Sequence, residues 1–432
     1  MAITVTQDPT FFNVTKNPVV FVVSGSTSTL PQYQFVVDVR TAPDNTLRSR
    51  VIQYPNPEGV AVFDVSHIMG DYITHDATNF RNTGIVDTFG SEFKYFNVYA
   101  GEQYGTSASS SVTLYDGLGS PGVPAVTGPS TVGGNYAAWG GRLDYTTGDT
   151  TSGNGGWNFG DYFGTTNVNR ILTSHRSTAT SAARSNAKMG PNDYALMSIL
   201  DSNSNLVNSN TNVVLYDSNN SVIGSTTIGN AQAGIYANYV PIGPRNLVDA
   251  GNFTQSQIDN TSWYYVTNLG DTTNLFKTFT MDKCQNNFER RNFLFVNKWG
   301  FYENWGCNLP LKQNTSVSRD EYRKSVIPYS NTTAVNDFSR RGFDYYNSSL
   351  NDTFEFSSPY VTNDEAKVIS ELIESEEVYL QVNNLDMGLG TTIPTTFIPV
   401  QITNSSYQHK TNKLQKIFKY DIQYKLANQR PI

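Results

Sequence analysis

Apolar and polar residues alternate with a period of two along much of this chain, and one long example begins at Leu414. The even positions read Leu414, Lys416, Phe418, Tyr420, Ile422, Tyr424 and Leu426, while the odd positions read Gln415, Ile417, Lys419, Asp421, Gln423, Lys425 and Ala427. Successive side chains of a strand point to opposite faces, so this register predicts a closing strand with one aromatic face and one solvated face. Upstream the period changes. Thr362-Asn363-Asp364-Glu365 has the form of a capping box, and Ala366, Ile369, Leu372 and Ile373 follow at helical spacing, which predicts one amphipathic helix. Glu371, Glu374, Glu376 and Glu377 oppose the dipole at its end. Basic neighbours such as Lys410, Lys413 or Lys416 are expected there.

Shorter runs fill the rest. Val19 to Val23, then Tyr33, Phe35, Val37 and Val39, then Val60, Val62 and Val65, then Phe93, Tyr95 and Tyr99 read as strands separated by turn residues, with one helical turn between Asp64 and Tyr72. Residues 1–116 are therefore expected to form a β-sandwich-like domain. Residues 117–165 are rich in Gly, Pro and Thr, which predicts a linker or an extended arm that lies on a neighbouring subunit. Residues 166–298 read as a second β domain. Val213 to Asp217 and Ser221 to Gly224 flank an Asn-rich turn as a hairpin, and Trp263 to Val266, Phe276 to Phe279 and Phe293 to Val296 add strands. Asp193 to Leu200 reads as a short helix beneath this sheet.

Residues 299–432 read as a C-terminal α+β domain. It opens on an aromatic cluster, Trp299, Phe301, Tyr302 and Trp305, and continues through Lys312 to Arg323 into an Asn-rich, loop-like stretch from Asn331 to Asp352. The expected fold class is mainly β: two β-sandwich-like domains plus an α+β domain with one capped amphipathic helix and a closing strand.

Composition narrows the function. Charged residues make up 16% of the 432-residue chain, against about 25% in an ordinary soluble domain. Asn, Ser and Thr supply the polar surface instead. The 26 Tyr and 24 Phe suit half-buried sheet faces and protein interfaces. A net charge of −7 leaves no broad basic field, so nucleic acid is not an expected partner. No stretch approaches the ~20 apolar residues of a membrane span, and no signal peptide precedes Asp8, so synthesis in a cytoplasm and no membrane insertion are expected. In that compartment Cys284 and Cys307 are expected as buried thiols rather than a disulfide.

Candidate chemistry is sparse. His67, His75, His175 and His409 offer no pair at metal-ligand spacing, His67 and His75 read as surface residues, and no metal or cofactor is expected. Asp201 and Asp217 start fragments similar to calcium loops but lack the Gly and Glu that such loops need. No nucleophile elbow, zinc-protease motif or phosphate loop occurs. Asp144, Asp149 and Asp161 lie near Trp157, where two carboxylates and a stacking ring could act on a glycan. Turn formation is the simpler role for such residues.

Two sets of residues carry a resemblance. Phe293-Leu294-Phe295-Val296-Asn297-Lys298-Trp299-Gly300-Phe301-Tyr302-Glu303-Asn304 resembles a segment of virion proteins of tailed phages that infect Bacteroidetes and related marine bacteria. Glu365 to Tyr379, Pro399 to Asn404 and Leu414 to Asn428 are similar to the helix, strand and closing strand of the same group, as are Asn17-Pro18-Val19 and Phe63-Asp64-Val65-Ser66 near the start. The ending also resembles in pattern that of distal tail proteins, whereas Gly117 to Gly160 has no counterpart. The resemblance implies a non-enzymatic structural component of the virion, in the tail, baseplate or neck, made in the host cytoplasm. Expected partners are copies of itself and other virion proteins. Trp299, Tyr302 and Trp305 are the expected packed interface, and Phe418, Tyr420 and Tyr424 the expected closing-strand contact. A receptor-binding adhesin for host surface glycan and a capsid-surface or decoration protein are the competing roles, with a glycan depolymerase behind them.

Overall fold

The computed structural model describes residues 3–9, 11–25, 29–87, 91–111, 113–115, 125–126, 136–142, 172–174, 187–200, 211–229, 237–268, 277–283, 288, 290–324, 339, 341–382, 396–404 and 419–427. The fold is mainly β. The chain forms two compact units, Met1–Lys283 with Leu294–Trp305, and Cys284–Phe293 with Gly306–Ile432.

Two hydrophobic core clusters of the first unit lie among the described residues. One lies between a three-stranded sheet (Ile3–Gln7, Val20–Gly25, Val60–Asp64) and a larger sheet built on Phe12–Val14, Tyr136–Trp139, Phe93–Tyr104, Gln34–Ala42 and Thr46–Gln53. Alternate residues of the facing strands fill it, among them Phe21, Val23, Phe35, Val37, Val39, Phe63, Phe96 and Val98. Asp64 ends its strand and accepts from the backbone N–H groups of Val19 (3.1 Å) and Ser66 (3.0 Å), which launches the expected turn as the Ser66–Gly70 helix.

The second core lies under a five-stranded sheet (Ala187–Met189, Lys277–Met281, Trp263–Asn268, Thr211–Tyr216, Val222–Ile228). The hairpin read from Val213 to Gly224 is present, with Asn220 at φ 62° in its turn. Two short helices, Pro244–Asp249 and Gln255–Asn260, contribute Leu247 and Ile258 to the core. Both regions meet in one unit because pairing is non-local: Val86–Asp87 pairs with Ala237–Pro241.

Two expectations are corrected here. The helix read at Asp193 to Leu200 is the strand Leu196–Leu200, paired antiparallel to Ala237–Pro241. A strand covered on both faces reads as a continuous apolar run, which periodicity cannot separate from a buried helix. The block read as a linker from 117 to 165 also contains strand. Tyr136–Trp139 runs antiparallel to Phe93–Tyr104 and parallel to Phe12–Val14, its four side chains fully buried. Flanking glycines hid this short run.

In the second unit the strands follow the order Val378–Val382, Thr396–Ile402, Asp421–Leu426, Phe343–Ser357, Lys312–Arg323. The Asn363–Glu374 helix carries the capping box as read: Thr362 Oγ1 accepts from the Glu365 N–H at 3.4 Å and the Glu365 carboxylate accepts from the Thr362 N–H at 3.0 Å. Ala366, Val368, Ile369 and Leu372 are fully buried. Lys410, Lys413 and Lys416 lie outside the described residues.

Candidate assembly surface

The expected interface residues are placed as follows. Trp299 and Tyr302 are 1% exposed and Trp305 is 7% exposed, all inside the first unit. Tyr302 meets Phe80 edge-on with ring centroids 4.6 Å apart, and its backbone N–H donates to the Tyr239 hydroxyl at 2.9 Å. Phe301 packs near Trp139, which stacks on Phe93. Rings covered this fully by their own chain present no area to another subunit, so the cluster is core and the interface reading is corrected. An aromatic run reads the same in either role. Tyr420 and Tyr424 alternate with exposed Lys419, Asp421 and Lys425 in the register expected, and both rings are buried within the second unit. Tyr424 stacks on Phe354 at 5.1 Å and meets Phe293 edge-on. Phe418 lies outside the described residues, as do Asp144, Asp149, Asp161, Trp157 and Cys284.

His75 is not the surface residue expected. It lies beside Glu92, with Nδ1 4.0 Å from the carboxylate, and edge-on to Tyr302. Burial and the adjacent Glu92 carboxylate push the Tyr239 phenol well above its ordinary pKa. The group therefore stays protonated and polar inside the fold. Among the described residues no cluster of three or more His, Cys, Asp or Glu is arranged to hold a metal.

The surface that stands out joins Lys312–Arg323 to part of the stretch expected as loop-like, Asn331 to Asp352. Lys312–Arg323 and Phe343–Ser357 pair antiparallel through registers from Lys312↔Glu355 to Arg323↔Phe343. At its root the longer strand also pairs with Asp421–Leu426, from Thr353↔Lys425 to Ser357↔Asp421, and Phe356 is buried there. Beyond Thr353 the described strands form a two-stranded ribbon. From Thr315 to Arg323 it is about 30 Å long at the usual rise of ~3.3 Å per residue. Every residue of Lys312–Arg323 is exposed.

The two ribbon faces differ. One carries Val317 opposite Leu350, Glu321 opposite Tyr345 and Arg323 opposite Phe343, with the Arg319 guanidinium 5.4 Å from the Tyr345 ring centroid. Phe343 is 60% exposed and Tyr345 54%. The other face is tied by polar contacts. Asn347 donates to Asp320 at 2.9 Å, Tyr322 meets Tyr346 edge-on, and Lys324 pairs with Asp344. The bond from Lys324 lowers the Asp344 pKa, and the same bond raises that of Lys324. The register shift at Asp320 and Glu321 leaves Tyr346 as an extra residue on its strand, which sharpens the local twist.

Alternation in Thr315, Val317 and in Phe343, Tyr345 was the available sign of these strands. Charged and Asn-rich neighbours outweighed it. No protein-family model matches the chain, and no curated protein matches it.

Proposed function

We propose that this chain is a non-enzymatic structural protein that works in several copies as a building block of a tailed-phage virion, in the tail, baseplate or neck. It is made in the host cytoplasm and resides in the particle. The observation that carries the reading is the exposed ribbon. An isolated two-stranded ribbon is marginal in water, and one that displays Val317, Leu350, Phe343 and Tyr345 on a single face gains stability when a protein surface covers them. Tyr, Phe and Arg are the residue types enriched where proteins meet. The resemblance of the 293–304 segment and of the 365–428 region to phage virion proteins supports the setting. The densely packed sheets fix the subunit's shape, and the ribbon supplies the contact.

One observation favours an adhesin as the second reading. Tyr216, Trp263 and Tyr265 form an aromatic ladder on the half-exposed face of the five-stranded sheet, with the Tyr216 and Trp263 rings parallel at 4.1 Å. Their mutual stacking uses ring faces that a sugar would need, so the structural role ranks first.

Purified particles of a phage that encodes the chain test the reading. Mass spectrometry is expected to find it at several copies per particle, and cryo-electron microscopy to find it in a symmetric layer. Particles without the chain, or turnover of surface glycan by the pure protein, would overturn the proposal.

A further inference from the structure

We infer that the Val317–Phe343 face of the ribbon is a self-association surface whose occupant is the same ribbon of a second copy, laid against it in antiparallel orientation. The inference rests on the multi-copy reading above and names the contact. Charge argues for the occupant. Between residues 312–324 and 343–357 the sequence places Lys312, Arg319, Arg323 and Lys324 against Asp320, Glu321, Asp344, Asp352 and Glu355. This near-balance gives no single-signed field to draw nucleic acid or a strongly acidic partner.

The order of charge on the face itself is self-complementary. Arg319, Glu321 and Arg323 follow one another at same-face spacing, each about 6.6 Å from the next. A two-fold axis crossing the ribbon at Asp320 lays Arg319 of one copy over Glu321 of the other, and repeats that pair symmetrically. The same axis lays Leu350 on the root side of one copy over Phe343 on the far side of the other, and Val317 over the aliphatic stem of Arg323. Edge-to-edge pairing of Lys312–Arg323 is the poorer alternative. The strand carries five charged residues, and its partner strand carries a bulge at Tyr346. Both features hinder strand addition.

The test is sedimentation equilibrium of the full chain over a wide concentration range. Glu321→Arg places arginine over arginine and is expected to weaken self-association about 10-fold or more, as close interfacial charge pairs do. Arg319→Glu is expected to weaken it similarly. The double variant Arg319→Glu/Glu321→Arg restores the pairing with its sign exchanged, and is expected to return within about 3-fold of the parent. Phe343→Ser is expected to weaken association without touching charge, whereas Tyr54→Ser, an exposed tyrosine in the first unit, leaves it unchanged. Association that survives every ribbon change would overturn the inference and leave the multi-copy reading standing. A chain that is monomeric throughout yet present in purified particles would overturn it in favour of a different partner protein. A monomer absent from particles would overturn both.

Discussion

Lys277 and Glu303 form an ion pair inside the first unit, the ammonium and carboxylate 3.5 Å apart and both side chains almost wholly covered. The carboxylate also accepts from the Ser174 N–H at 2.8 Å and from Asn297 Nδ2 at 2.9 Å, and the Thr173 hydroxyl donates to it. Lys277 donates to Thr173 at 2.6 Å. Thus Thr173, the Lys277–Met281 strand and the Asn297–Glu303 segment are tied through one buried charge pair. Such a pair contributes little net stability compared with apolar packing, but losing one member is costly because the other stays buried.

Replacing Lys277 with Met is therefore expected to destabilise the first unit by about 3–5 kcal/mol. Adding Glu303→Gln to it should recover part of that loss, since the neutral amide no longer needs a cation. All five tryptophans fall within the residue bounds of the first unit, so urea denaturation followed by tryptophan fluorescence measures both variants. Equal midpoints for the single variant and the parent would show the pair to be dispensable.

Gly300 offers a sharper test of the Trp299–Trp305 segment. Its φ of 79° lies in the left-handed region, and a Cβ there would sit 2.5 Å from the Gly141 nitrogen. A residue with a side chain costs about 1–2 kcal/mol for the backbone alone, and the close approach adds to it. Gly300→Ala is expected to lose more than about 2 kcal/mol by the same fluorescence assay. Trp305→Ala, which empties a core position without straining the backbone, should cost about 3–5 kcal/mol.

Asp38 links the stability of the N-terminal sandwich to pH. Burial by itself would raise its pKa, but hydrogen bonds from Arg50 (2.6 and 2.8 Å) and Arg40 (3.0 Å) outweigh burial and hold it below the ordinary value. A carboxylate with a depressed folded pKa adds stability above its unfolded pKa of about 3.9, and that contribution fades as the pH falls through the folded value. Asp38→Asn is expected to be less stable than the parent at pH 7 by about 1–3 kcal/mol. The gap should close below about pH 4. Urea midpoints of both proteins across a pH series check the sign.

How far the sequence could be read follows from the range of the interactions. The Thr362 cap, the Ser221 hairpin and the alternation from Lys419 to Lys425 depend on neighbours in sequence, and each was legible. Tyr136–Trp139 depends on strands more than thirty residues away, and its glycine-rich surroundings suggested a linker. Trp299, Tyr302 and Trp305 were recognised as a packed aromatic cluster, yet only tertiary structure distinguishes a ring buried by its own chain from one waiting for another subunit. The ribbon escaped notice for the opposite reason. Every residue of Lys312–Arg323 is exposed, and Val317 is the one aliphatic residue among them, too little for the sustained apolar alternation of a half-buried strand.

The capping box at Thr362 yields a prediction confined to the second unit. The Thr362 hydroxyl accepts from the Glu365 N–H, and the Glu365 carboxylate returns to the Thr362 N–H, so two backbone donors of the first turn are satisfied reciprocally. Removing the hydroxyl with Thr362→Ala exposes one donor and loosens the carboxylate that served the other. The expected cost is about 1 kcal/mol. Tryptophan fluorescence is a poor reporter there, because no tryptophan lies within the bounds of that unit. Amide hydrogen exchange is direct instead: the first-turn amides of Asn363–Glu374 should exchange about 5-fold faster than in the parent, following from ~1 kcal/mol at room temperature. Thr362→Ser keeps the acceptor and should exchange like the parent. If Ala and Ser behave alike, the hydroxyl does not cap the helix in solution.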